Sequence, residues 1–460
     1  MHPRELTFVS ELPVSAAETF AWHARPGAFN RLTPPWEHVE LERQGALRDG
    51  ERTVLRVRMA PGIWRRWVAE HQECIDGRQF CDDQVEGPFT FWEHLHQFEP
   101  LGPQSCSLED RLQYILPGGV VGDLFGRGAV RRKVERMFAY RHRQTRDDLR
   151  AHHPYLDRPR MKILVSGATG LIGSAFCAFL SSGGHTPVRL NRPNGATDGV
   201  HWDPARGTAM TAEFEGFDAV VHLAGENVAG GRWNPKRKQA IRESRERDTR
   251  LLCETLAKLK RPPKTLVCAS AVGYYGDRGE ELLDESAPLG QGFLPEVCKV
   301  WEDACDPARK AGIRVANMRL GVVLAGNGGA LKKMLPPFLM GVGGNLGDGK
   351  QWMAWVAIDD VIGALHHALM HEELQGPVNV VAPQSARNSE FTKTLGRVIR
   401  RPTIFPVPRF AARLAFGELA DALLMASQHV VPKRLTDTGY EFRFPQLEGA
   451  LRHVLGRVKQ

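Results

Sequence analysis

Lys162-Ile163-Leu164-Val165-Ser166-Gly167-Ala168-Thr169-Gly170-Leu171-Ile172-Gly173 is the stretch whose reading decides the fold. Ile163 to Val165 is an apolar run that reads as a buried parallel strand. A glycine turn follows, and then Ile172, Ala175, Phe176, Phe179 and Leu180 recur at helical spacing. Strand, glycine turn and helix in that order open a dinucleotide-binding βαβ unit. Gly167 permits the tight turn, Gly170 lets a pyrophosphate approach the backbone, and Gly173 lets helix and strand pack closely. The helix N-terminus, with free N–H groups and partial positive charge, is where the phosphates belong. An ordinary strand–helix turn is the plainer alternative.

Strand and helix patterns keep alternating downstream. Residues 186–190 read as a second strand, and the chain after it runs Asn191-Arg192. Arg192 stands 19 residues past Gly173, about where a cofactor with a free ribose 2′-OH wants an acidic acceptor. A guanidinium there can pair with a 2′-phosphate, so NADP is expected over NAD; a plain surface arginine is the alternative. Residues 218–223 form the next buried strand, ending in Ala224-Gly225, small residues that let backbone and cofactor meet. Residues 265–269 lead into Ser270-Ala271-Val272-Gly273-Tyr274-Tyr275-Gly276, and 314–320 and 378–381 supply later strands. Such alternation predicts a doubly wound parallel sheet with ligands at the carboxyl ends of its strands.

These motifs resemble an extended or atypical short-chain dehydrogenase/reductase. More narrowly, Arg232-Trp233-Asn234-Pro235-Lys236-Arg237-Lys238, Ser244-Arg245, Trp301-Glu302, the glycine-rich 341–349 and Trp355-Val356-Ala357-Ile358-Asp359-Asp360 resemble its epimerase-like branch. The resemblance covers about 300 residues, from 161 to the end. It implies a Rossmann-type NADP-binding fold without a settled substrate. It also implies that Gly167, Thr169, Gly170, Leu171, Ile172 and Gly173 form the pyrophosphate loop. Arg192 would contact the 2′-phosphate, Leu223, Ala224 and Gly225 would line the adenosine side, and Ser270 would sit close by.

The catalytic part of that family does not carry over. Hydride transfer at a carbonyl needs a proton partner for the oxygen. The wider superfamily supplies a tyrosine, a lysine four residues later, and a Ser or Thr. Registered on Tyr275-Gly276, the Ser/Thr position is Ala271, and four residues before Lys299 stands Pro295. Registered on Glu302, the tyrosine and lysine positions hold Leu294 and Cys298. Neither register contains a Tyr-x-x-x-Lys pair. Ser270, Tyr274, Tyr275 and Lys299 remain as candidate proton partners, with packing and surface roles as the alternative.

Before the fingerprint there is room for a complete domain. Residues 5–9 read as a strand, and Ser15 caps a helix over 16–23 with Glu18 three residues on. A short helix over 27–32 stops at Pro34-Pro35. Strand-like segments follow at 39–44, 52–59, 63–74, 78–85, 89–98 and 105–116, several alternating in polarity as in an antiparallel sheet with one covered face. A long helix over 121–150 puts Val130, Val134, Met137 and Phe138 on one side. This order, with Gly87-Pro88-Phe89 and Trp92-Glu93-His94, resembles the START-like, polyketide-cyclase-type helix-grip superfamily. The implied role is to hold an apolar small molecule; a structural or protein-binding domain is the alternative. His94 and His96 share a strand face, but no carboxylate or cysteine is seen to converge on them, so no metal is expected. Arg131, Arg132, Lys133, Arg136, Arg141, Arg143 and Arg146 make the long helix basic, which reads as a solvated face rather than a nucleic-acid patch.

The 460 residues thus divide as 1–150, a linker at 151–160 marked by two prolines, a nucleotide domain at 161–400, and an α-rich appendix at 401–460 on the substrate side. Net charge is +8, which suits anionic cofactors. The eight cysteines show neither CxxC nor zinc spacing and read as reduced thiols. No signal segment and no membrane span are expected, and a cytoplasmic location is. The expected function is an NADP(H)-dependent oxidoreductase or epimerase-like enzyme on a small, apolar substrate. A redox-silent NADP(H) sensor or lipophilic-ligand carrier is the alternative.

Overall fold

The computed structural model describes residues 2–192, 198–204 and 211–457. Contacts divide the chain into two compact units. One comprises residues up to Pro159 with Ala178–Gly184, and the other comprises Arg160–Cys177 and His185–Arg457.

The first unit is built on one antiparallel sheet. Its strands are β1 (Arg4–Leu12), β2 (Val39–Arg43), β3 (Arg52–Ala60), β4 (Ile63–Ile75), β5 (Gln79–Glu86), β6 (Phe91–Gly102) and β7 (Ser105–Ile115). Their spatial order is β1-β7-β6-β5-β4-β3-β2. Helices α1 (Ala16–Ala24) and α2 (Ala28–Leu32) follow β1, and Ser15 caps α1 by accepting from the Glu18 amide. Glu18 does not reach back to close the capping box; its carboxylate pairs with Arg25 instead. Burial alternates residue by residue along β6 and β7. The covered face meets α3 (Gly119–His152), where Phe138 stacks on Phe8 with centroids 4.5 Å apart. Val134 and Phe138 are buried there, with Val130 and Met137 beside them. The helix runs on through His152 into a 3₁₀ turn at His153–Tyr155, so half of the stretch read as linker is helical. Pro154 does not stop it, because the first turn of a helix tolerates proline. Several cations of α3 are engaged within the unit: Lys133 pairs with Glu37, and Arg131 with Glu135.

The second unit is a doubly wound parallel sheet. Its strands are β8 (Lys162–Ser166), β9 (Thr186–Asn191), β10 (Val200–His201), β11 (Ala219–His222), β12 (Thr265–Ala271), β14 (Arg314–Leu320) and β18 (Gly376–Val380). They lie in the order β10-β9-β8-β11-β12-β14-β18, all parallel. Short ladders β13 (Leu282–Leu283) with β20 (His429–Val430), β15 (Val322–Leu324) with β17 (Trp355–Ala357), and β16 (Trp352–Met353) with β19 (Ala386–Arg387) complete it. β10 has only two residues, too few for a period to show in the sequence. Crossovers run through α4 (Leu171–Ser182), α5 (Pro235–Ala257), α6 (Phe293–Asp303), α7 (Asp306–Lys310), α8 (Gly329–Leu339) and α9 (Ile358–Met370), and α10 (Asn388–Ile399) follows β18. One core gathers Leu164, Val220, Leu252, Leu266, Trp301 and Val315. The last segment carries α11 (Arg409–Phe416), α12 (Lys433–Asp437) and α13 (Leu447–Val454). Gly417, at φ +63°, ends α11, and the chain resumes only as a π-turn at Ala420–Met425.

Buried Asp360 on α9 binds that last segment. Its carboxylate accepts from the amides of Arg443 (2.6 Å) and Phe444 (3.0 Å), and the Tyr440 hydroxyl donates to its carbonyl (2.9 Å). Burial raises its pKa to about 7 despite those donors. Among the described residues no helix is long and apolar enough to cross a membrane.

Candidate nucleotide site

Parallel register brings the sequence-identified pieces to one end of the sheet. Ser166 closes β8 opposite Leu190 on one side and His222 on the other. The glycine loop therefore starts between Arg192, exposed just past β9, and Leu223–Gly225, just past β11. Gly167 has φ +68°, and a Cβ there would stand 2.9 Å from the backbone of Leu223 and Ala224. The Gly170 amide donates to Gly167 O at 2.9 Å, which folds the loop back on itself before α4 begins. A Cβ on Gly173 would stand 2.1 Å from that same oxygen. Two of the glycines are thus required by the turn, and the third leaves its backbone uncovered.

A buried clamp that sequence reasoning missed fixes the two strand ends. Ser166 Oγ and His222 Nδ1 are 2.6 Å apart, and His222 Nε2 lies 3.0 Å from Thr249 Oγ1 on α5. Ser166 Oγ also accepts from the amides of Leu223 (3.1 Å) and Ala224 (3.2 Å). Burial lowers the His222 pKa to about 4, so the ring is neutral at pH 7. The sequence signal was a serine and a histidine at the ends of otherwise apolar strands. Ser166→Ala removes the acceptor for both amides and the partner of His222. The expected loss is ~1–3 kcal/mol of stability, read as a lower denaturation midpoint with the nucleotide site weakened alongside.

Next along the sheet, the candidate proton partners fall into two groups. Ser270 on β12 stands beside Arg319 on β14. Ser270 Oγ donates to Glu302 Oε1 (2.7 Å), and Glu302 takes a bidentate pair from Arg319 at 2.8 Å each. Arg319 Nη1 donates to the Tyr275 hydroxyl (3.0 Å), which donates to Asn379 Oδ1 (2.7 Å). Burial would lower the Arg319 pKa, but the bonds and charge of Glu302 outweigh it and raise it. Burial pushes the Tyr275 phenol up to about 12. Tyr274 lies half-buried with its ring 3.5 Å below the Arg319 guanidinium, and its hydroxyl has no hydrogen-bond partner among the described residues. Lys299 does not join them: it sits on the exposed face of α6, paired with Asp303 at 2.5 Å, because it falls on the helix side opposite buried Cys298 and Trp301. Leu294 and Cys298 are both buried, and burial pushes the Cys298 thiol up to about 12. α6 therefore offers buried apolar side chains at the two positions that the register on Glu302 assigns to the tyrosine and lysine.

Residues 163–382 match the NAD dependent epimerase/dehydratase family, and residues 407–454 match a domain of unknown function (DUF1731). An epimerase family protein of Mycobacterium bovis is 40% identical over 296 residues, spanning 64% of this chain and 98% of that protein. The human epimerase family protein SDR39U1 is 36% identical over 300 residues, spanning 64% of this chain and all of that one. Among solved structures, a nucleoside-diphosphate sugar epimerase of Corynebacterium glutamicum is 32% identical with TM-score 0.80, covering 98% of this chain and 90% of that one. Human SDR39U1 (isoform 2), solved with NADPH, is 35% identical with TM-score 0.59, covering 65% of this chain and 100% of that one.

Proposed function

The chain belongs to the NAD-dependent epimerase/dehydratase family, and from that premise we propose that it binds NADP(H) at the carboxyl ends of β8, β9 and β11 and acts on a small molecule there. The observation that carries the reading is the tight loop of Gly167, Gly170 and Gly173: a Cβ on Gly167 or Gly173 would strike backbone at 2.9 or 2.1 Å, and Gly170 leaves its backbone open to an approaching phosphate. Thr169, Leu171 and Ile172 complete the loop. Arg192 pairs with a 2′-phosphate, and Leu223, Ala224 and Gly225 line the adenosine side. The human relative solved with NADPH supports the choice of nucleotide. A bound nicotinamide supplies the hydride acceptor or donor.

The protein's own groups bind and orient. Ser270, Glu302, Arg319 and Tyr275 form a satisfied chain that fixes the crevice wall beyond β12. Of the four candidate proton partners, Tyr274 alone keeps an uncommitted hydroxyl, so it is the group that exchanges a proton with a substrate oxygen. The first unit acts as a helix-grip domain holding an apolar ligand; its element order, with two short helices after β1 and one long closing helix, supports this. The segment from 401 onward serves as the substrate-side appendix. Eight free thiols fit a reducing, cytoplasmic setting.

A second reading, a redox-silent NADP(H) sensor or ligand carrier, is favoured by the missing Tyr-x-x-x-Lys pair in either register. Fluorescence titration with NADPH and NADH, followed by a carbonyl and sugar-nucleotide panel, separates the two. Saturable NADPH binding with consumption on one substrate class supports the enzyme, and binding without consumption supports the sensor. Arg192→Ala is expected to weaken NADPH binding about tenfold, ~1.4 kcal/mol, and leave NADH binding unchanged. Equal loss for both nucleotides would remove Arg192 from the 2′-phosphate.

A further inference from the structure

The densest group of titratable side chains outside the nucleotide site lies in the first unit, and sheet register assembles it. His71 on β4 is opposite Asp82 on β5, Asp82 is opposite His94 on β6, and His96 is opposite Asp110 on β7. The sequence shows His94 and His96 as neighbours on one face, but the two carboxylates come from other strands. The expectation that none converges is therefore corrected. His71, His94, His96, His142 and Asp110 are buried, while the Asp82 side chain keeps 25% exposure and gives a way in.

Three of the imidazoles are held by oriented hydrogen bonds. His94 Nε2 lies 3.1 Å from Asp110 Oδ1, and His142 Nε2 lies 2.8 Å from Asp110 Oδ2. His71 Nδ1 lies 2.6 Å from Asp82 Oδ1, with its Nε2 3.2 Å from Thr53 Oγ1. His96 is different. Its ring stands between the two carboxylates, with Nδ1 2.6 Å from Asp110 Oδ1 and Nε2 3.6 Å from Asp82 Oδ2. Nδ1 is buried with no hydrogen bond of proper geometry, and 3.6 Å is too long for one at Nε2. That gap matches the spacing of two ligands on one tetrahedral ion, which stand about 3.3–3.6 Å apart when the bonds are about 2.0–2.2 Å. A ring nitrogen of His94 completes a set of three donors within 4.8 Å of one another.

We propose that Asp82, His94 and His96 hold a divalent cation of the zinc class. Two imidazole nitrogens and one carboxylate oxygen suit such an ion and leave its fourth position to water or to an oxygen of a bound ligand. Asp110 and His71 are the outer partners, orienting His94 and Asp82 as second partners of metal ligands commonly do. Charge agrees. Among the described residues, Asp82 and Asp110 feel the charge of the Arg141 guanidinium, which donates to Leu32 O, and one positive charge does not balance two carboxylates. His23, whose ring centre is 5.9 Å from that of His96, closes the group from α1.

The test uses the untagged full chain. Elemental analysis of protein purified without chelator should find about one zinc-class ion per chain. After stripping with dipicolinate, cobalt(II) should restore a visible ligand-field band that saturates at about one equivalent. His96→Gln and Asp82→Asn should each weaken cobalt binding at least about tenfold, whereas His371→Gln, at a half-buried site of the second unit, should not. The wild-type titration needs no variant, so misfolding cannot shelter the idea. No stoichiometric metal together with no cobalt band would overturn it, and so would an unchanged band in folded His96→Gln protein; a protonated imidazole would then carry the charge.

Discussion

Gly173→Ala is expected to lower NADPH affinity at least about a hundredfold, roughly 2.7 kcal/mol. The added Cβ would stand 2.1 Å from Gly167 O, 2.8 Å from Gly167 C and 2.9 Å from Ala168 Cα. All three are backbone atoms, and none can swing aside as a side-chain tip can. The loop must move, and the amides that face the phosphates move with it. Gly170→Ala is the informative companion. Its Cβ would find Gly167 O at 3.2 Å and nothing nearer, so the fold should hold while the phosphates lose their approach. Fluorescence titration beside far-UV circular dichroism separates the two effects. Unchanged affinity in a folded Gly173→Ala protein would take the nucleotide out of this crevice.

Glu302→Ala is expected to destabilise the protein by ~3–5 kcal/mol, because it strands a buried charge. The Arg319 side chain is 3% exposed, and Glu302 supplies both oxygens of its bidentate partner. The Ser270 hydroxyl loses its acceptor in the same step. Glu302→Gln keeps an acceptor for Ser270 but not the charge, so it should fall between the wild type and Glu302→Ala. Urea denaturation followed by two probes measures this. A loss below about 1 kcal/mol would mean that water reaches Arg319 and that the wall beyond β12 is open.

Much of this architecture is legible in the chain because burial alternates cleanly. Expectation and structure agree at 52–59 and 105–116 to within a residue of β3 and β7, and in β7 every second side chain faces the core. The glycine loop is legible for a different reason: only glycine is comfortable at Gly167's positive φ. What escaped depends on partners far apart in sequence. Ser166 meets His222 across 56 residues, Glu302 meets Arg319 across 17, and Asp110 meets His94 across 16. Strand register sets the first and last of those pairs and the packing of α6 on β14 the second, and one sequence displays neither. A trace was present nonetheless. Arg319, between Met318 and Leu320 in β14, is a charge at a position where apolar neighbours called for a core residue. A charge in such a place is bound to have a partner, though the sequence does not say which.

The hold of Asp360 on the amides of Arg443 and Phe444 bears on how the gene can change. A lineage that shed its last twenty residues would leave a carboxylate in oil with its donors gone. Survival would require a second, simultaneous change at Asp360. The tail and the body of the second unit therefore stand or fall together, and part of what the domain matched at 407–454 does is to close that body.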